Sequence, residues 1–277
     1  MPTIAILYGL LSAVTWGAGD FNGGLAVKRS NPYGVVAVAH IVSLFLLLVT
    51  VFIIGEPIPP LHDWLWGGAS GLAGGIGLVL LYRALAEGRM SMVAPVSALV
   101  AAALPVLVGL ARDGLPGIWV LVGFALALIA VWFISGGEGL IIRFDDLRIP
   151  VIAGIAFGAF FIFIERASQT ALLWPLIAVR IVSVITMLGY ALITHQDWIP
   201  KRESLVPVLL SSILDTFGNA FYALSARTGR LDVAAVLGAL YPGATVLLAW
   251  VFLKEKISRI QTFGILLALG TIILLTL

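Results

Sequence analysis

The chain is organised as ten long apolar runs separated by short polar breaks: 4–27, 33–54, 64–86, 91–111, 115–135, 149–165, 173–193, 205–226, 231–252 and 258–276. Each is close to the roughly 20 residues that a helix needs to cross a hydrocarbon core. Apolar and polar residues do not alternate within them, which argues against barrel strands. Backbone groups inside lipid must be satisfied within the segment, so the runs are predicted to be transmembrane helices. Of the breaks, only 136–148 and 194–204 hold several charges, so no extramembrane domain is expected and any chemistry has to occur at bilayer depth. The first run begins at Ile4 without a charged segment before it and extends to Val27, too long for the apolar part of a cleaved signal. It is read as a retained helix.

Composition agrees with a lipid solvent. Hydrophobic residues make up 61% of 277 positions and charged residues 11%, against about 25% charged in a soluble domain. With no cysteine, neither disulfides nor thiolate metal sites can form. A formal charge of +2 gives no reason to expect a nucleic-acid partner. Metal-ligand spacings, phosphate-binding glycine loops and nucleophile elbows are absent from the sequence, so neither catalysis nor a cofactor is expected.

The second half of the chain repeats the first. Val38-Ala39-His40-Ile41-Val42-Ser43 matches Ala178-Val179-Arg180-Ile181-Val182-Ser183 at an offset of 140, which also relates Tyr82 to Tyr222. An offset of 141 then pairs Gly88-Arg89 with Gly229-Arg230, Ala98-Leu99 with Ala239-Leu240, and Gly123 with Gly264. Each unit, 1–138 and 139–277, holds five helices. An odd number makes the second copy enter the membrane from the opposite face, so the repeats are inverted, an arrangement that places a transport site near the midplane.

On Trp16-Gly17, Tyr82-Arg83-Ala84-Leu85, Leu240-Tyr241-Pro242 and Leu253-Lys254-Glu255, the sequence resembles the drug/metabolite transporter superfamily, in its ten-helix branch with two EamA-type repeats. Arg180 stands where such repeats often carry an arginine, whereas the first repeat has His40, and Arg112-Asp113 replaces the usual Gly-Glu before helix five. The resemblance spans essentially the whole chain. It implies a multi-pass protein of the plasma or inner membrane that moves a small solute. Amino acids and other metabolites, nucleotide sugars, sugar phosphates and cationic drugs are all carried by proteins of this kind.

Ionisable groups inside a span cost upward of about 2.5 kcal/mol, which makes each a functional candidate. Asp20 and His40 lie at similar depth below one face, where they could pair and couple transport to protons; Asp20 could instead reach the aqueous mouth. Arg180 and Asp215 fall within one helical turn of each other in depth. Two readings stand for them: a lock between helices seven and eight, or a substrate site in which Arg180 meets an anionic group and Asp215 holds a proton or an ammonium. Ser211, Asp215 and Asn219 recur at spacing four and share one face of helix eight, as site or as interhelical glue. Trp16, Tyr82, Tyr222 and Tyr241 are candidate cavity walls, with packing as the plainer alternative. Arg83, Glu165 and Arg166 lie at helix ends, where snorkelling accounts for them. Gly67, Gly71 and Gly75, with Gly154 and Gly158, mark close helix packing. Pro95, Pro105 and Pro242 are expected to interrupt helices four and nine and so to line the cavity.

Eleven of the sixteen lysines and arginines lie in the breaks after odd-numbered helices or at their ends. The positive-inside rule then places both termini outside the cytoplasm, while the family resemblance implies both inside. The expected activity is alternating-access export of a small metabolite by proton antiport. Uptake or exchange without protons stands as an alternative within transport, and a scaffold or lipid-translocation partner as one outside it. One chain can form the whole pathway, so a functional monomer is expected.

Overall fold

A computed structural model describes residues 2–86, 90–135 and 144–276. Among them the chain forms α1 (Thr3–Val27), α2 (Pro32–Ile54), α3 (Leu61–Ala86), α4 (Met90–Asp113), α5 (Ile118–Ile134), α6 (Phe144–Ala167), α7 (Leu173–Ile193), α8 (Leu205–Thr228), α9 (Leu231–Gly238), α10 (Tyr241–Leu253) and α11 (Arg259–Thr276). These are the ten expected spans, the ninth divided into α9 and α10. Large apolar side chains such as Phe52, Ile53, Phe217 and Trp250 point outward and are exposed, as a lipid-facing surface requires.

The division falls at Ala239–Leu240, just before Pro242. Proline lacks the N–H that would bond the carbonyl of Gly238, and its ring disfavours continued helix on its N-terminal side. Pro105 behaves otherwise: α4 runs through it unbroken, so the expected interruption of helix four is not found there. The side chain of Pro95 lies outside the described residues.

Packing follows the repeat. α1 lies along α8 and α3 along α6, while α2 crosses α7 and α5 crosses α11. Under the 140-residue offset α1 corresponds to α6 and α3 to α8, so the first two contacts are one contact made twice, and the two crossings lie on the pseudo-twofold axis. Glycine permits the closest approaches. A Cβ on Gly71 would come within 2.3 Å of the Val179 carbonyl oxygen of α7.

Chain ends are tied across the repeats in the same way. The Glu56 carboxylate accepts from the amides of Leu172 and Leu173, both at 2.8 Å, and of Trp174 at 3.2 Å, placing an anion on the positive end of α7. At the corresponding place in the second repeat, Gln196 Oε1 accepts from Asn31 Nδ2 at 2.9 Å, and Asn31 Oδ1 caps α2 through the Tyr33 amide at 2.9 Å.

The two halves of the ninth span differ in burial. Every residue of α9 is buried and none of α10 is. α9 lies toward the face that carries both termini and the 114–117 connection, here called the termini face. α10 lies toward the opposite, basic face, where Ser30 meets Ser204 and Gln261 reaches the Ile134 carbonyl.

Candidate functional site

The two Ile-Val-Ser strings meet where α2 crosses α7. His40 Nδ1 lies 2.8 Å from Ser183 Oγ, and Arg180 Nε donates to Ser43 Oγ at 2.8 Å. The basic residue of each repeat thus reaches the serine of the other. Ser43 Oγ lies 2.6 Å from Thr216 Oγ1. Thr216 donates to the Ser212 carbonyl at 2.7 Å, so the Ser43 proton goes to Thr216 while Ser43 accepts from Arg180. Arg180 Nη2 donates to Asp215 Oδ2, which also accepts from Asn219 Nδ2 at 3.1 Å, with His40 Nε2 at 3.9 Å. Among the described residues, Asp215 Oδ1 accepts no hydrogen bond. The Arg180 side chain is 4% exposed and that of Asp215 33%, so the carboxylate, and not the guanidinium, faces open space.

Asp20 completes the group from α1. Its charge is close enough to Asp215 for the two to repel. Among the described residues it has neither a hydrogen bond nor an ion pair. The expected Asp20–His40 pair does not form, because His40 is drawn to Ser183 and Asp215.

One turn toward the termini face, Trp16, Phe161 and Tyr222 stack into a buried layer, with ring centroids 5.5 Å apart for Trp16–Phe161 and Trp16–Tyr222, and 4.8 Å for Phe161–Tyr222. The Tyr222 hydroxyl donates to the Phe161 carbonyl at 3.3 Å. Gly218 makes room for the indole, since a Cβ there would lie 2.3 Å from Trp16 Cδ1. Asp20 follows Trp16 by one helical turn, and Gly24 follows Asp20 by another, so all three share a face of α1. Trp16 is buried, Asp20 is exposed, and a Cβ on Gly24 would meet nothing within 4 Å. Exposure along this face of α1 thus rises from the buried aromatic layer at Trp16 through Asp20 toward the basic face.

The other candidates fall differently. Ser211 faces α1, its Oγ 3.3 Å from a Cβ built on Gly23, which places it at a helix contact beside the cluster. Tyr241 is half-buried at the start of α10, and the Tyr82 side chain lies outside the described residues. Glu165 corrects the snorkelling expectation: it is buried and bonded by Arg112 Nη1 at 3.2 and 3.1 Å and by Gln169 Nε2 at 2.9 Å. Arg83 and Arg166 are exposed, as expected for snorkelling. Ser43, Ser183, Thr216 and Phe161 were not anticipated. The repeated Ile-Val-Ser string held the signal for the two serines, whereas nothing in the sequence distinguishes Phe161 from its neighbours.

The fold and this cluster suit a duplicated transporter, and the model of the EamA-like transporter family matches residues 3–136 and again 149–277. The chain belongs to that family. An uncharacterized transporter of Synechocystis sp. is 24% identical to this EamA-family chain over 162 residues, 57% of this chain and 49% of the relative. The chain thus spans about half the length of that protein. An uncharacterized protein of Methanocaldococcus jannaschii is 29% identical over 130 residues, 47% of this chain and 92% of the relative, so nearly a whole protein there corresponds to half of this one. A solved crystal structure at 15% identity superposes with a TM-score of 0.79, covering 100% of this chain and 97% of that one. It supports the EamA fold alone.

Two other features of this EamA-family protein lie away from the cluster. At the termini face Arg230 Nη2 donates to Asp232 Oδ2 and to the Gly114 carbonyl, both at 2.7 Å. The buried Asp232 carboxylate, first by its hydrogen bonds, holds the Arg230 guanidinium above its ordinary pKa. An open, almost wholly apolar groove of about 500 Å³ lies between α4 and α5, lined by Leu99, Leu128 and Trp132 among others.

Proposed function

We propose that this membrane transporter exports a small metabolite, an amino acid or related solute, by proton antiport, alternating access being achieved as the repeats 1–138 and 139–277 rock about the α2–α7 axis. The observation that carries the reading is the junction of Asp215, Arg180 and His40 with Asp20 at bilayer depth, where Asp20 and Asp215 are partly exposed beside the buried layer of Trp16, Phe161 and Tyr222. Carboxylates in such a place can exchange a proton for a solute. Exposure along α1 rises toward the face holding eleven of the sixteen lysines and arginines, which the positive-inside rule assigns to the cytoplasm. Loading from that side is what export requires.

The test is flux into proteoliposomes for amino acids, sugar phosphates and cationic dyes, with and without an imposed pH gradient, comparing wild type with Asp215→Asn. Gradient-driven flux that disappears in the variant is expected. Flux that persists in it removes Asp215 from coupling, and an absence of flux for every class favours a scaffold.

A further inference from the structure

The two serines at the α2–α7 crossing are equivalent by the repeat, but their hydroxyl protons have different destinations. Ser43 accepts from Arg180 and passes its own proton to Thr216, which in turn donates to the Ser212 carbonyl. The 140-residue offset puts Ile76 at the place of Thr216 in the first repeat, and an alkyl group accepts nothing. Ser183 is 3% exposed, and among the described residues its Oγ has one hydrogen-bond partner, His40 Nδ1 at 2.8 Å. A hydrogen on Nδ1 would have to be donated to Ser183, and the serine would then bury its own hydroxyl proton without an acceptor, a costly state away from water. The imidazolium incurs the same penalty, because it carries a hydrogen on both nitrogens. The penalty is avoided when Ser183 donates and Nδ1 is bare.

The other ring nitrogen leads to the same result independently. Nε2 faces Asp215 Oδ2 at 3.9 Å. A bare Nε2 would turn its lone pair on the carboxylate, whereas an Nε2–H turns a positive edge on it.

We propose that Ser183 is a positioning residue that fixes His40 as the neutral Nε2–H tautomer, so that the imidazole presents a hydrogen to Asp215 and carries no transported proton. The tautomer follows from the crossing alone; its bearing on coupling rests on the reading of the cluster as the transport site. Asp215 is then served from both repeats, by Arg180 as a charged donor in contact and by His40 as a neutral one held at 3.9 Å, beyond hydrogen-bond reach in this conformation. The expectation of coupling through Asp20 or His40 narrows accordingly: the protons that move belong to the carboxylates of Asp20 and Asp215.

The chain has three histidines, His40, His62 and His195, so the ring nitrogens of isotope-labelled protein in lipid can be resolved by NMR, with His40→Gln identifying the His40 resonances. At neutral pH the wild type is expected to show an unprotonated Nδ1 and a protonated Nε2. Ser183→Ala, which removes the donor, is expected to introduce a protonated Nδ1 component, and Ser183→Thr, which keeps the hydroxyl, to preserve the wild-type pattern. A wild-type ring with its hydrogen on Nδ1, alone or together with Nε2, overturns the proposal. So does a Ser183→Ala spectrum identical to the wild type, which would leave Asp215 in sole control of the tautomer. Flux gives the second readout. A glutamine amide supplies an N–H donor but cannot carry a proton, so gradient-driven flux is expected to survive in His40→Gln. Its loss in folded His40→Gln protein would mark the imidazole as a proton carrier and overturn the assignment. Absence of flux from the wild type would instead count against the transport reading, while the spectrum still decides the tautomer.

Discussion

Arg180 and Asp215 show what a pair of opposite charges at bilayer depth does to each member. A buried pair is weak evidence of net stability, but removing one partner leaves the other uncompensated, at a cost of about 3–5 kcal/mol when both are fully buried. Asp215 keeps a third of its side chain exposed, so Arg180→Met should cost less than that range, yet more than a surface substitution. The double variant Arg180→Met with Asp215→Asn should recover most of the stability, because no bare charge remains, and should not recover transport. Denaturant unfolding in detergent, read beside proteoliposome flux, separates the two effects; a double variant as unstable as Arg180→Met overturns the account. The charged residues of the site were legible because lipid makes charge expensive and therefore rare. Their hydroxyl partners were not. Serine and threonine are ordinary in transmembrane helices, and only the crossing of α2 over α7 distinguishes Ser43 and Ser183 from the rest.

A transmembrane helix is defined by its apolar run, so hydropathy located the spans to within a few residues, most closely in α7, where 173–193 coincides with Leu173–Ile193. The break in the ninth span was legible too, because Pro242 removes a backbone donor. Pro105 carries the same chemical deficit without ending α4, which shows that a proline states a cost, while the packing around it decides whether the helix ends. The cap on α7 was illegible for another reason: Glu56 and Leu172 are 116 residues apart in sequence, and nothing local announces a carboxylate supplied from another helix. A helix cap is worth about 0.5–2 kcal/mol, and an anion at a helix N-terminus about 0.3–1 kcal/mol. Glu56→Ala is therefore expected to destabilise the protein by about 1–2 kcal/mol, and Glu56→Gln by less, since the amide oxygen still accepts. Thermal unfolding in detergent checks this: no loss in Glu56→Gln would refute the charge contribution, and equal losses in the two variants would refute the hydrogen-bond contribution.

For the molecule as a whole, the offset between the repeats revealed the duplication and the inversion, but it could not reveal which end is closed, because both copies share one fold and the conformation depends on how their ends interact. Those ends differ. Glu165 and Arg112, which join at the termini face, correspond to Leu25 and Leu253 at the basic face, and Asp232 corresponds to Ser91. The termini face is thus latched by ion pairs that these positions do not repeat at the basic face, where the exposed Arg29 and Glu203 pair instead. The arginines of these pairs are partly exposed and screened by salt, and loss of both Arg112 and Arg230 also leaves the buried Glu165 and Asp232 carboxylates unpaired, so it should shift the equilibrium toward the termini-open state, in which those carboxylates reach water. Ala235 in α9 is fully buried, and a cysteine placed there is a reporter of that opening. In the otherwise wild-type chain Ala235→Cys should resist a membrane-impermeant thiol reagent applied from the termini face. With Arg112→Ala and Arg230→Ala it should react several-fold faster, and added salt should accelerate the unsubstituted latch but not the substituted one. Equal rates with and without the arginines would mean that the apolar burial of α9, and not the charges, keeps this end shut.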